Sequence, residues 1–382
     1  MFLGKERLIN QQNWKNGDTA KLPRPPVCHT GKKKIHRHHI MVCLRGISAT
    51  ILIGLVASKG FYENPVLRGD VPDPGVVFDS KLGLWVVATT GCDDKGCFSL
   101  HTSPDLVEWT ANGYIFPLNN LPVWASQGNT YWAPEIHMMP SGGFVAYFVG
   151  RNGLVDKQNG PLCVGAAMSV GGGALGPFKD IGAPLVTAPK GSCFGVIDPT
   201  YFDQHIIVKT DGNSCGKPTT IFSIPLTPDG LNLTEGGAWV PLITNDAPWE
   251  GPLVEAPWIV RNESYLYLFF SGSVYDKPSY AIGVARANKL EGPWEKFPGN
   301  PILHSAPEAG QPGSQLLYGP GHCSVISLPA GSNPALSMAM IYAAEVPGGG
   351  PRNLLLDALV WSSDGWPGIS GNVPSNSSQP IP

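Results

Sequence analysis

The stretch Val254-Glu-Ala-Pro-Trp-Ile-Val260, followed by Tyr265-Leu-Tyr-Leu-Phe-Phe-Ser-Gly272, contains the unit from which this chain is built. A carboxylate beside a proline opens one apolar run, and a second apolar run follows after a short polar turn. Both runs are rich in β-branched and aromatic residues and are too short for most helices. They therefore predict two neighbouring β-strands.

Similar openings recur about every 60 positions along the chain, and a period of that size indicates a repeat architecture. The marked residues, one at the start of each apolar strand, are Asp73, Glu135, Asp198, Glu255 and His322. Each block adds further short strands and closes on a Trp or Phe motif such as Gly292-Pro-Trp-Glu295. Three or four strands per block are typical of a propeller blade. We predict an all-β chain folded as a five-bladed β-propeller.

The first strand of each propeller blade lines the central channel, so the five marked residues are expected to converge on one cavity. Burying a carboxylate is costly unless it has a partner or a purpose. Each residue taken alone could be a turn or cap residue, and one or two could form a structural hydrogen-bond ring. Five of them at equivalent positions favour an active site.

The composition supports a turn-rich β protein and gives no sign of a nucleic-acid partner. Charged residues make up only 14% of the chain, and Gly (47) and Pro (38) are abundant. Short strands between frequent turns require such a composition. The formal net charge of −3 offers no basic surface for nucleic acid.

The N-terminal region differs from the rest. Residues 1–40 are basic and without hydrophobic period, and we predict a non-native or disordered extension there. Residues 41–60 place Arg45 before a short apolar stretch, which predicts a signal peptide and secretion; a signal anchor is the alternative. The propeller, a single catalytic domain, is expected at 61–370, and the Pro/Ser/Asn-rich residues 371–382 predict a disordered tail.

The cysteines suit an oxidising compartment. Cys92 and Cys97 bracket a turn that could bring them together, and Cys193 and Cys215 form a second plausible pair, although connectivity cannot be read from sequence. The absence of a CxxC pair makes zinc unlikely.

The ordered set of motifs resembles glycoside hydrolase family 43. The motifs that carry the resemblance are Val71-Pro-Asp-Pro74, Tyr131-Trp-Ala-Pro-Glu135, Val196-Ile-Asp-Pro199, Val254-Glu-Ala-Pro257 and Gly319-Pro-Gly-His322. The resemblance extends from Asn64 to Trp361, nearly the whole chain after the predicted signal. It implies a five-bladed propeller that cleaves arabinofuranosides, xylosides and related plant-wall linkages with inversion.

The resemblance also assigns roles. It implies Asp73 as general base, Glu255 as general acid, and Asp198 as the residue that orients the acid and modulates its pKa. Inverting hydrolysis needs such a pair of carboxyl groups, roughly 6.5–9.5 Å apart, with a water between the base and the sugar. Glu250, five residues before Glu255 in Trp249-Glu-Gly-Pro252, is the alternative acid.

Trp132 and Trp258 are expected to bind sugar, because aromatic rings stack on the apolar faces of sugars. Glu135 is expected either to bind a sugar hydroxyl or to satisfy backbone donors, and the resemblance implies that His322 supports the substrate. The resemblance also allows His322 to lie near a water-coordinated calcium or sodium ion. The alternative is a core histidine that is hydrogen-bonded to the backbone. No Asp-rich calcium loop is visible. No cofactor is expected to be required.

We therefore predict a secreted, monomeric, inverting glycoside hydrolase whose partner is a carbohydrate with arabinofuranosyl or related pentosyl linkages. The alternatives are a β-xylosidase or an exo-galactanase of the same family, or a non-catalytic carbohydrate-binding propeller. Whether cleavage is endo or exo depends on loops that the sequence does not settle.

Overall fold

A computed structural model describes residues 60–126, 130–328 and 337–381. The predicted extension (1–40) and nearly all of the predicted signal segment (41–60) lie outside the described residues. The described chain contains 22 strands and four short 3-10 turns, and no α-helix occurs within these ranges. None of the helices described is long and apolar enough to cross a membrane.

Five four-stranded antiparallel sheets form the propeller, and each is a simple meander in chain order. A short strand, β1 (Phe61–Tyr62), precedes them. Blade 1 contains β2 (Gly75–Asp79), β3 (Leu84–Ala88), β4 (Gly96–Ser103) and β5 (Thr110–Pro117). Blade 2 contains β6 (Trp132–Met138), β7 (Phe144–Arg151), β8 (Leu162–Ser169) and β9 (Phe178–Asp180).

The remaining three blades have the same order. Blade 3 contains β10 (Val196–Phe202), β11 (His205–Thr210), β12 (Thr220–Pro225) and β13 (Val240–Thr244). Blade 4 contains β14 (Val254–Asn262), β15 (Tyr265–Gly272), β16 (Ala281–Ala287) and β17 (Glu295–Lys296). Blade 5 contains β18 (Tyr318–Ser327), β19 (Met338–Glu345), β20 (Arg352–Trp361) and β21 (Pro367–Ile369), and β22 (Gln379–Pro380) follows it. The 3-10 turns are Leu118–Asn120, Gly212–Cys215, Pro248–Glu250 and Ser370–Asn372.

The first strands of the five blades close a ring around the propeller axis. Strand β2 contacts β6, β6 contacts β10, β10 contacts β14, β14 contacts β18, and β18 returns to β2. This closed order confirms the predicted five-bladed propeller. It also places the start of every inner strand, where the marked residues lie, around one axis.

Apolar residues fill both faces of the middle strands, because each blade packs against two neighbours. In β15, Leu266, Leu268 and Phe270 belong to one core cluster, shared with blade 3. The alternating residues Tyr267 and Phe269 belong to another, shared with blade 5. Successive side chains of a strand point to opposite faces, so a strand between two cores must be apolar throughout. This is why the runs in the sequence are continuous rather than alternating.

The segment for which the sequence predicts a disordered tail, 371–382, contains a short strand in its described part, which ends at residue 381. Strand β22 pairs with β1 in antiparallel register, with Phe61 opposite Pro380 and Tyr62 opposite Gln379. The Tyr62 hydroxyl donates to the Leu356 carbonyl oxygen, 2.8 Å away. Pairing with β1 gives this polar segment backbone partners that its composition does not reveal.

Both disulfides involve the pairs that the sequence suggested, Cys92–Cys97 and Cys193–Cys215. Cys163 and Cys323 are free and buried. The first bridge lies in the loop between β3 and β4, and the second ties the segment before β10 to the loop after β11. Both therefore brace loops on the face where the inner strands begin.

The close approach of blades 1 and 2 requires glycine at the start of β2. A Cβ at Gly75 would lie 2.3 Å from the Pro134 carbonyl oxygen and 2.7 Å from the Glu135 Cα, and both atoms are backbone. We expect Gly75→Ala to destabilise the fold by about 2 kcal/mol, as overpacking does, and to lower the melting temperature. Gly143→Ala is the control, because its Cβ would meet no atom within 4 Å. Equal melting temperatures for the two variants would contradict this account.

Candidate active site

A strained residue at the start of each inner strand forms the frame of the site. Its φ is 53° at Asp73, 45° at Ala133, 52° at Asp198, 52° at Ala256 and 50° at His322. In blades 2 to 5 the strand pairing shifts register across this residue. Left-handed conformations in residues other than glycine cost about 1–3 kcal/mol each and concentrate at functional sites. The repeat therefore has one structural landmark on every blade.

This landmark corrects the prediction that the five marked residues are equivalent. Asp73, Asp198 and His322 occupy the left-handed position itself. Glu255 lies one residue before it and Glu135 two residues after it, with alanine at the position in those blades. Because the backbone turns at the bulge, neighbouring residues point in different directions.

Backbone amides at three bulges are bound by side chains of the preceding blade. The N–H of Ala133 donates to the Thr90 hydroxyl at 2.6 Å, and that of Ala256 donates to the Asp198 carboxylate at 3.0 Å. The N–H of His322 donates to the Ser271 hydroxyl at 2.8 Å. These three hydrogen bonds offset part of the local strain and connect each of these inner strands to the preceding blade.

Asp73 lies among cationic groups. The Arg352 guanidinium donates to its two oxygens at 2.8 and 3.4 Å, and the His322 Nδ1 is 3.2 Å from Oδ1. Burial alone would raise the pKa of Asp73, but Arg352, His322 and a hydrogen bond from Thr90 outweigh it and hold the pKa below its ordinary value. Asp73 is therefore kept as a carboxylate.

Glu255 accepts hydrogen bonds at both carboxyl oxygens. The Lys209 ammonium is 2.9 Å from Oε2, and the Tyr280 hydroxyl is 2.7 Å from Oε1. Lys209 also pairs with Asp211 at 3.3 Å and is only 1% exposed. Burial lowers the pKa of Lys209, but the charges of Glu255, Asp198 and Asp211 outweigh it and raise the pKa.

Asp198 is the carboxyl group in this cluster that most resists ionisation. Burial, and then the negative charge of Glu255, raise its pKa from 3.8 to about 6, although His322 and Lys209 oppose the rise. Through its bond to the amide of Ala256, Asp198 also fixes the backbone next to Glu255. The structure thus brings together Asp73, Asp198 and Glu255 in environments of opposite electrostatic character.

The other predicted sugar-binding residues, Glu135, Trp258 and Trp132, lie in three different environments. Glu135 is 4% exposed; His137 bonds it at 2.8 Å and Thr200 also bonds it, so protein groups already satisfy it. Trp258 is a core residue, 7% exposed, whose Nε1 donates to the Val325 carbonyl oxygen at 2.7 Å, and this disagrees with a role as a sugar platform. Trp132 is partly exposed and packs beside Ala133, so it stays a candidate.

His322 lies next to Asp73, with its Nδ1 3.2 Å from Asp73 Oδ1. Among the described residues, no group of three or more His, Cys, Asp or Glu side chains is arranged to hold a metal ion directly. This geometry indicates that His322 positions Asp73, and the water-coordinated calcium or sodium ion stays a prediction.

Glu250, the alternative acid, has a structural environment. It is fully buried, accepts hydrogen bonds from the amides of Asp246 and Ala247, and pairs with Lys296 at 2.6 Å. A buried carboxylate that caps a turn and pairs with a neighbouring lysine is a structural element.

Comparison with known proteins agrees with this geometry. The family model described as Glycosyl hydrolases family 43 matches residues 62–367. The chain belongs to glycosyl hydrolase family 43.

Relatives and solved structures in the family share the fold across most of the chain. The probable arabinan endo-1,5-alpha-L-arabinosidase C of Aspergillus clavatus is 24% identical over 84% of this chain and 99% of its own. The extracellular exo-alpha-(1->5)-L-arabinofuranosidase ArbA of Cellvibrio japonicus is 22% identical over 78% of this chain and 86% of its own. A thermostable family-43 glycoside hydrolase of known structure is 29% identical, with a TM-score of 0.70, over 84% of this chain and 99% of its own.

The sequence motifs did not indicate four residues of the candidate active site, namely Thr90, Lys209, Tyr280 and Arg352. None belongs to a strand-opening motif. Lys209 gave a signal nonetheless, because it is a lone charge in the apolar strand His205–Thr210. A buried, unexplained lysine in such a strand indicates a carboxylate partner elsewhere in the fold.

Lys209 should stabilise the fold as well as the site. We expect Lys209→Met to cost about 3 kcal/mol at neutral pH, because it leaves the largely buried Glu255 and Asp211 carboxyl groups, each 14% exposed, without their cation. The cost should shrink in acid, where the carboxylates become protonated. Urea unfolding at the two pH values measures it.

Lys277→Met is the matched control. Its ion pair with Asp276 is exposed, with 60% and 45% of the two side chains accessible, and such pairs contribute little. An equal loss of stability in the two variants, or a loss at Lys209 that does not depend on pH, would contradict the assignment.

Proposed function

We propose that this chain is an inverting glycoside hydrolase that cleaves arabinofuranosyl or related pentosyl linkages in plant-type polysaccharides or oligosaccharides. The observation that carries the mechanism is the division of the carboxyl groups. Arg352, His322 and Thr90 hold the pKa of Asp73 below its ordinary value, while burial and the charge of Glu255 raise the pKa of Asp198 to about 6. Environments that push carboxyl groups apart in this way mark an acid and a base.

Asp73 acts as the general base in this proposal. It takes a proton from a water molecule as the water oxygen attacks the anomeric carbon. Arg352 and His322 keep Asp73 charged and hold both of its oxygens in place. A carboxylate restrained in this way loses little freedom when the water binds.

Glu255 acts as the general acid. As the bond between the anomeric carbon and the leaving oxygen breaks, Glu255 gives its proton to that oxygen, so the leaving group departs as an alcohol. The Lys209 ammonium and the Tyr280 hydroxyl are placed to stabilise the carboxylate that results. Above about pH 6, where Asp198 is itself ionised, its charge opposes early loss of that proton, because it disfavours a second negative charge nearby.

The choice of pentosides rests on the relatives. Two of them are named as arabinan-directed or arabinofuranosidase enzymes, and a third, from Vibrio sp, is named xylan 1,3-beta-xylosidase. A fourth, from Aspergillus niger, is named beta-D-galactofuranosidase. Arabinofuranosides and galactofuranosides share a five-membered sugar ring, so these relatives favour a furanoside over a pyranoside as the substrate.

A substrate panel tests the activity. Nitrophenyl arabinofuranoside, xyloside and galactoside, together with debranched arabinan, should give fastest release from an arabinofuranosyl substrate. Faster release from the xyloside or the galactoside would favour the β-xylosidase or exo-galactanase alternative. Binding without release from any of them would favour a non-catalytic carbohydrate-binding propeller.

We further propose that the protein is secreted and acts as a monomer. Two disulfides support an oxidising compartment. The glycosylation sequons Asn232-Leu-Thr234 and Asn376-Ser-Ser378 agree with secretion, because Asn232 and Asn376 are both exposed. All three proposed catalytic carboxylates come from one chain, so a partner subunit is not needed to complete the site.

The catalytic assignment predicts unequal effects of removing each carboxylate. Asp73→Asn and Glu255→Gln should lower kcat on arabino-oligosaccharides by about a thousandfold or more, because each removes one of two groups that act in the same transition state. Glu250→Gln is the control and should lose stability while its folded fraction keeps near wild-type kcat. Loss of activity in Glu250→Gln with retention in Glu255→Gln would show that the acid is misassigned.

Replacing Asp198 should change the pH profile in a definite direction. In Asp198→Asn the neutral neighbour no longer opposes ionisation of the Glu255 carboxyl, so the alkaline limb of kcat should move to lower pH. The amide oxygen can still accept from Ala256, which preserves the local backbone. An alkaline limb that stays in place or moves to higher pH would contradict this role.

The same variant has a stability signature. The raised pKa of Asp198 means that the folded protein holds this proton more tightly than the unfolded chain does. The contribution of Asp198 to the free energy of unfolding therefore falls as pH rises from 3.8 to about 6. Asp198→Asn has no carboxyl group to ionise here, so its stability relative to the wild type should increase across that window. Parallel stability curves for the two proteins would contradict the shift.

A further inference from the structure

An exposed tyrosine lies against the arginine that binds the proposed general base. Tyr275 lies in the loop between β15 and β16, and 52% of its surface is exposed. Strand β15 ends at Gly272, opposite Val254, so this loop begins at the end of blade 4 that carries Glu255. A large aromatic ring left open to solvent on the face of the site has no role in packing the core.

The ring contacts the arginine that holds the base. The Arg352 guanidinium carbon is 4.8 Å from the centre of the Tyr275 ring, a cation–π distance. The same guanidinium donates to both oxygens of Asp73. Arg352 covers one part of the ring, and the exposed remainder stays available to a ligand.

Hydrogen bonds fix the loop that carries the ring. The hydroxyls of Ser273 and Ser279 are 2.7 Å apart, and the amide of Lys277 donates to the Val274 carbonyl oxygen at 3.0 Å. The loop ends at Tyr280, whose hydroxyl binds Glu255. One short loop therefore presents an exposed ring next to the base and a buried ring next to the acid.

We propose that Tyr275 is a sugar-contact residue that binds the glycone ring, the sugar whose anomeric carbon reacts. The inference rests on the proposed function. The exposed ring lies against the arginine that holds Asp73, so a sugar bound at Asp73 can reach it, and the C–H groups of a furanose are apolar partners for an aromatic ring. The loop is rigid, so the ring is available without an ordering cost.

Steady-state kinetics of Tyr275→Ala and Tyr275→Phe test the proposal. We expect Tyr275→Ala to raise KM about tenfold with kcat nearly unchanged, the size of one aromatic contact. The increase should be equal for nitrophenyl arabinofuranoside, which supplies only the glycone, and for an arabino-oligosaccharide. Tyr275→Phe keeps the ring and should behave as the wild type.

Tyr265→Ala is the matched control. The Arg286 guanidinium lies 4.8 Å from the Tyr265 ring, so the pair has the same geometry, and it stands at the opposite end of the same strand. The control should leave KM unchanged at a temperature where melting curves show both variants folded.

Each other outcome would overturn the inference. An unchanged KM in Tyr275→Ala would exclude a sugar contact. A fall in kcat with a shifted acid limb would mean that the ring only positions Arg352, and an effect confined to the oligosaccharide would place the ring at a distant sugar. If the wild-type protein cleaves no pentoside, the proposed function itself fails.

Discussion

The site depends on one backbone constraint, the left-handed residue at the start of each inner strand. Five such residues, four of them with a shift in strand pairing, surround the axis and turn the chain away from regular β geometry. Each strained residue keeps its conformation because its inner strand packs between two neighbouring blades. Hydrogen bonds between blades, such as that from the Ala256 N–H to the Asp198 carboxylate, also hold the backbone amide in place. The propeller core therefore supplies the energy that holds the catalytic carboxyl groups in position.

Charge is the second element of the site, and it is arranged by blades far apart in sequence. Arg352 of blade 5 reaches Asp73 of blade 1, and Lys209 of blade 3 reaches Glu255 of blade 4. Arg352 helps to hold the pKa of Asp73 below its ordinary value against the effect of burial. The charges of Glu255 and Asp73 both act to raise the pKa of Asp198, which is about 6. The fold thus keeps one carboxyl group ionised and gives a second carboxyl group a raised pKa.

The sequence was sufficient for the number of blades, and its acid–proline openings indicated the inner-strand positions of Asp73, Asp198 and Glu255. The period and the acid–proline openings are consequences of the repeated inner strand, so they could be read directly. The offset of Glu255 and Glu135 from the left-handed position could not, because a bulge shifts pairing without changing composition. Lys209, Tyr280 and Arg352 come from middle strands and loops, and only the closed ring of blades brings them to the carboxylates. Trp258 has an aromatic ring of the kind that stacks on sugars, but this ring packs in the core.

The central claim is that base and acid act together in a single displacement, on opposite faces of the sugar. The most direct measurement is the anomeric configuration of the first product released from an arabinofuranosyl substrate, followed by proton NMR before the free sugar equilibrates. The account predicts that the new hydroxyl appears with the configuration opposite to that of the cleaved bond. A product that retains the substrate's configuration would contradict it, because retention requires a covalent intermediate on a carboxylate.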